Sequence, residues 1–159
     1  MKILRKHQQE TINEIEKIIE GIVHLPTGSG KTFIQATIIC NNLENNRVFV
    51  ILSPRILLTN QLYNEVKNIL INNNKDCQYL IVHSGKAEDK SDITWSKSMP
   101  YREVKSTTSS IDILEEYNKS KQENVPLIIF GTYDSADRII KSNITIYMLL
   151  CDEAHYLVS

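Results

Sequence analysis

Five consecutive apolar residues, Val48-Phe49-Val50-Ile51-Leu52, leave no wet side on an extended segment. Such a run suits a strand covered on both faces, as in a parallel sheet between two helical layers. Pro126-Leu127-Ile128-Ile129-Phe130 repeats the pattern, and Gln78–His83 and Ile144–Cys151 read as further strands. Between them lie segments of helical spacing. One carries Leu58, Leu62, Val66, Ile69 and Leu70; Ile111–Lys119, with Ser109 and Asp112 as a capping pair, and Tyr133–Lys141 are the others. A leading helix is expected over residues 8–20, with Ile12, Ile15, Ile18 and Ile19 on one face and Gly21 as its stop. Strand-helix alternation of this kind predicts an α/β fold: a mostly parallel sheet with helices on both faces.

In such sheets ligands gather at the carboxyl ends of the strands. The polar motifs of this chain fall there. The apolar run Gly21-Ile22-Val23-His24 is expected to be a strand. It is followed by Leu25-Pro26-Thr27-Gly28-Ser29-Gly30-Lys31-Thr32 and then by the apolar-periodic Phe33–Ile39. A strand, a glycine-rich turn and a helix make a phosphate cradle, because backbone N–H groups converge on an anion at the helix start. In a P-loop, Lys31 reaches the β- and γ-phosphates and the Thr32 hydroxyl ligates Mg²⁺. Leu25 stands where the strict pattern has glycine, and a lone Gly-x-Gly-Lys-Thr also occurs as an ordinary helix-capping turn.

A second motif removes most of that ambiguity. Met148-Leu149-Leu150-Cys151 ends in Asp152-Glu153-Ala154-His155, about 120 residues beyond the glycine-rich turn. A buried strand can aim Asp152 at the Mg²⁺ of a bound nucleotide, and Glu153 can polarise the attacking water. Phosphoryl transfer asks mainly for this positioning and charge neutralisation.

Composition sets limits. The chain has 159 residues, enough for one domain with a sizeable core. Its net charge is −1 and its pI about 6.4, so bulk charge lends no support to nucleic-acid binding. No apolar stretch approaches the roughly 18 residues of a membrane span. Three scattered cysteines, Cys40, Cys77 and Cys151, fit reduced thiols in a cytoplasmic setting, and Cys77 with His83 is too small a set for a structural metal. Residues 84–106 break the rhythm as a polar insertion of mixed charge containing Trp95 and Tyr101. They read as a solvated excursion or as a contact for a partner or nucleic acid.

The P-loop Pro26–Thr32 together with Asp152-Glu153-Ala154-His155 resembles motifs I and II of superfamily 2 helicases and translocases of DEAH type. Ser53-Pro54-Arg55 resembles motif Ia, and Gly131-Thr132-Tyr133-Asp134-Ser135 resembles the Thr-Tyr-x-Ser form of motif Ib. Leu4-Arg5-Lys6-His7-Gln8 resembles the Leu-Arg-x-x-Gln entry of the restriction-enzyme-like members, such as type III restriction subunits. The resemblance implies a RecA-like domain that binds ATP and Mg²⁺. Thr27, Gly28, Ser29, Gly30, Lys31 and Thr32 would hold the phosphates, with Thr32 and Asp152 on the metal. Glu153 would activate water, and His155 would couple the site to motif III. Gln8 would read adenine, its amide suiting N6 and N7. Pro54, Arg55, Thr132 and Tyr133 would lie along a DNA or RNA track, DNA favoured, contacting backbone and not bases.

Family members continue with motif III and a second RecA-like domain, neither of which lies within residues 1–159. The expectation is therefore the N-terminal part of a longer machine, completed in cis or in trans. The competing reading is a non-motor module that binds nucleotide, nucleic acid or a partner without productive turnover. A P-loop kinase explains neither the Leu-Arg-x-x-Gln nor the DEAH segment.

Overall fold

The computed structural model describes residues 3–26, 28–85 and 104–157. Five strands form one sheet: β1 (Val48–Ser53), β2 (Gln78–Val82), β3 (Lys105–Thr107), β4 (Leu127–Thr132) and β5 (Met148–Cys151). Their spatial order is β3-β2-β4-β1-β5, and every pairing is parallel. The helices are α1 (Lys6–Ile15), α2 (Lys31–Asn42), α3 (Ile56–Asn72), α4 (Ser110–Glu123) and α5 (Ala136–Lys141). The expected α/β architecture is borne out.

The alternation of side chains along each strand divides the core in two. Phe49, Ile51, Tyr79, Ile81, Ile128 and Phe130 pack against α2 and α3 through Ala36, Ile39, Leu62, Tyr63, Val66 and Leu70. Val48, Val50, Leu52, Leu80, Val82, Leu127 and Ile129 face the opposite way, onto Ile113 of α4 and Ile139 of α5. The continuous apolar runs of β1 and β4 are thus used on both faces, and both strands are buried throughout. Ser109 caps α4 as expected, accepting from the Asp112 N–H. No helix among the described residues is long and apolar enough to cross a membrane.

The connectivity places the functional edge. From β1 the chain leaves through α3 on one face; from β4, its neighbour, it leaves through α5 on the other. Where outgoing connections diverge, a crevice opens at the carboxyl ends of the two strands.

Several sequence expectations are corrected. Residues 21–26 form no strand: Ile22 and Val23 are exposed, and no ladder includes them. A strand exists only by sharing backbone hydrogen bonds with a neighbour, and the sheet ends at β5 on that side. The leading helix stops at Ile15, not at residue 20. Its apolar face meets only a small cluster with Ile34 and Ile38 of α2, and Ile18 and Ile19 lie exposed beyond it. The last strand begins at Met148 and not at Ile144, which packs instead against the α4–α5 side of the core. Of the expected insertion, residues 105 and 106 belong to β3, which pairs with Leu80–Val82. Residues 86–103, with Trp95 and Tyr101, lie outside the described residues.

Candidate active site

The glycine-rich turn leads directly into α2. Ser29 N–H closes a turn onto the Pro26 carbonyl, and Gly28 sits at φ 79. Gly30, at φ 83, is the residue before the first helical position, Lys31. Both glycines occupy the left-handed region that L side chains avoid. A Cβ on Gly30 would also run into the Gln8 amide nitrogen. Gly30→Ala is therefore expected to lower the melting temperature and to displace Gln8. Its cost is roughly 1–2 kcal/mol from backbone strain alone, and thermal denaturation measures it. Thr27 lies outside the described residues.

Gln8, on α1, is buried against this loop. Its Nε2 donates to the Ser29 carbonyl at 2.9 Å, and its Oε1 accepts from the Arg5 N–H at 2.9 Å. His7 Nε2 lies 3.2 Å from the same Ser29 carbonyl. The amide assigned to adenine from the sequence thus has both ends engaged by backbone, and pairing with a base requires it to exchange these bonds.

Asp152 follows β5 and is almost fully buried. Its N–H donates to the Leu52 carbonyl at 2.8 Å, extending the β1–β5 ladder by one bond. Gln35 Nε2 donates to Asp152 Oδ1 at 2.9 Å. Burial pushes the Asp152 carboxyl above its usual range, and the nearby Glu153 charge adds to this; the Gln35 hydrogen bond and the Lys31 charge oppose it. The helix that starts at Lys31 thus reaches Asp152 through Gln35, and the Lys31 charge acts on the same carboxyl. Gln35 was not foreseen. Its one legible signal is position: four residues after Lys31, it shares the face of α2 that meets β5.

Glu153 adopts φ 53, in the left-handed region. Its Oε2 lies 3.3 Å from His155 Nδ1. The hydroxyl of Tyr133 donates to the Asp152 carbonyl at 2.5 Å. Burial, with smaller contributions from Cys151, Asp152 and Glu153, pushes this phenol up to about 12, so it stays a donor at all ordinary pH.

The residues present fit a magnesium nucleotide. Ser29 Oγ is buried in the loop with no hydrogen-bond partner, an orphan that a phosphate oxygen would satisfy. Thr32 and Asp152 offer a hydroxyl and a carboxylate, the hard oxygen donors Mg²⁺ takes when phosphates and waters fill its remaining positions. Among the described residues no three His, Cys, Asp or Glu side chains cluster, so no all-protein metal cage is present there. Cys77 is buried, and His83 is turned to Asn60 Oδ1 and the Gly85 N–H.

Beside this site, the diverging connections from β1 and β4 enclose a cleft of about 510 Å³. Pro54 and Arg55 line one wall, Thr132, Asp134 and Ser135 the other, with Arg138 of α5 at the side. Three of the four residues assigned to a nucleic-acid track thus share one cavity. The fourth, Tyr133, does not line it and is turned to Asp152. Arg138 is an unforeseen second cation, brought in by the short helix that follows the Thr132–Ser135 turn.

No curated protein matches the chain. Among solved structures, it is similar to a nuclease-deletion mutant of the Type ISP restriction-modification enzyme LlaGI, in complex with a DNA substrate mimic. That match has a TM-score of 0.73 at 23% identity over 97% of this chain. It is also similar to the ATP-dependent Type ISP restriction-modification enzyme LlaBIII bound to DNA, with a TM-score of 0.67 at 22% identity over 97% of this chain. The chain spans 15% and 10% of the lengths of those two chains. The likeness bears out the RecA-like fold expected from the sequence. The family described as Type III restriction enzyme, res subunit, matches residues 1–159 from end to end, and the chain belongs to that family.

Proposed function

We propose that this chain is the ATP-binding part of a helicase- or translocase-type motor acting on nucleic acid, with DNA favoured over RNA. The observation that carries the reading is the meeting of Asp152 with the P-loop helix, through Gln35 and the Lys31 charge, one strand away from a cleft containing Arg55. Family membership supports it, as do two fold relatives bound to DNA or a DNA mimic, one of them ATP-dependent.

In this reading Gly28, Ser29 and Gly30 wrap the phosphates, and Lys31 places its charge on them. Thr32 and Asp152 hold Mg²⁺, which when bound offsets charge on the phosphate oxygens. Glu153 accepts a proton from the water that attacks the γ-phosphorus, as the bond to the β–γ bridging oxygen breaks to leave ADP and phosphate. A second RecA-like domain, in cis or in trans, supplies the arginine that completes the site. Pro54, Arg55 and Thr132 seat a strand by its backbone, which needs no strongly basic protein. Among the described residues that line the cleft, Arg55 and Arg138 stand with one acid, Asp134.

The test is ATP hydrolysis by the protein with and without DNA. Stimulation by DNA is expected. Arg55→Ala should weaken DNA binding and reduce the salt dependence of log K by about one phosphate's worth. ATP binding without turnover, at any DNA concentration, would favour the non-motor module.

A further inference from the structure

The Tyr133 hydroxyl grips the carbonyl oxygen of Asp152. That oxygen belongs to the peptide plane joining Asp152 to Glu153. The other end of Asp152 is fixed by its N–H bond to Leu52 of β1. With both sides of Asp152 held, the orientation of the following peptide plane is set, and with it the direction from which the chain enters Glu153, whose own φ of 53 lies in the left-handed region. A glutamate does not choose that region for itself; the surroundings impose it. Tyr133 is also the first residue of the one-turn 3₁₀ helix Tyr133–Ser135. Its neighbours Thr132, Asp134 and Ser135 line the cleft, and the Thr132 and Ser135 hydroxyls are bonded across the turn at 2.8 Å. One short turn therefore faces the cleft with three residues and the Asp152–Glu153 peptide with the fourth.

We propose that Tyr133 is a positioning residue, not a nucleic-acid contact: it sets the Asp152–Glu153 peptide plane, and a strand seated in the cleft acts on Glu153 through it. This rests on the motor reading above. The mechanism is mechanical. A phosphate backbone bonded to the Thr132–Ser135 turn shifts that turn, and the tyrosine hydroxyl carries the shift to the peptide that aims the Glu153 carboxylate.

Tyr133→Phe removes one oxygen and leaves the ring's packing. Comparison with the unaltered protein, at saturating ATP and with DNA titrated in, should show the DNA-stimulated kcat lowered by about tenfold, the scale of one buried hydrogen bond to a group left unpaired. The KM for ATP and the Kd for DNA should hold, and the melting temperature should fall by no more than the few degrees of one lost hydrogen bond. A purely structural role would move KM and Kd together with kcat. An unchanged DNA-stimulated kcat overturns the proposal, and so does a loss confined to DNA affinity, which would make Tyr133 a contact after all. If the unaltered protein hydrolyses ATP without any response to DNA, the motor reading itself fails. Stimulation that survives Tyr133→Phe leaves the reading standing and removes only the tyrosine link.

Discussion

Lys31→Ala is expected to reduce DNA-stimulated ATP hydrolysis by at least about 10²- to 10³-fold, the loss seen when one preorganised charge donor is removed from a transition state. The side chain starts α2 directly after Gly30 and is partly exposed at the loop, so its removal leaves no core cavity. Lys31 also lends a favourable charge to the Asp152 carboxyl, a smaller contribution than the Gln35 hydrogen bond. Nucleotide binding measured by fluorescence should fall together with turnover, while thermal denaturation without nucleotide should be nearly unchanged. Full hydrolysis in the variant would sink the assignment of this loop.

Glu153→Gln should separate binding from chemistry. The amide keeps the size of the carboxylate but cannot accept the proton of the attacking water, and general-base assistance is worth about 10²–10⁴ in rate. Turnover is expected to fall within that range with ATP affinity retained, so the variant should hold ATP and DNA together. The substitution also alters the Glu153–His155 contact at 3.3 Å. At an exposed histidine this is worth little in stability. A Glu153→Gln protein that hydrolyses ATP at the normal rate would place the base elsewhere.

How far the chain could be read in advance depended on what each element answers to. β1 and β4 answer to burial on two faces, and an unbroken apolar run is its direct signature. The acidic motif after β5 was equally legible, because a parallel α/β sheet brings its loops to one side; the glycine-rich turn follows no strand and is placed by the packing of α2. The segment Gly21–His24 has a strand's composition and yet forms none. Pairing is a property of the neighbour as much as of the segment. The end of α1 was misread for a related reason: helical spacing continues to Ile19, but the surface that would receive it does not. β3 has no apolar pattern at all and exists through its ladder to β2 and the bond from Lys105 Nζ to Glu116 at 2.9 Å. Within the site, a motif says which loop a residue stands on and not which way it turns. Thr132 and Tyr133 are adjacent, yet one lines the cleft and the other is bonded to the Asp152 backbone. Gln35 and Arg138 lie outside the quoted motifs, on faces that only the packed helices define.

In the motor reading, the left-handed turn at Glu153 sets stability against activity within one residue. The other non-glycine residues described at positive φ are Asn46, Asn74, Asn124 and Asn143, which tolerate that backbone best among side-chain-bearing residues. Position 153 alone among them holds a larger, poorly suited side chain, at a conformational cost of about 1 kcal/mol. Glycine or asparagine there would relax the backbone and delete the carboxylate. Stabilising substitutions chosen by backbone fit alone would therefore converge on this position and, in the motor reading proposed above, remove the general base.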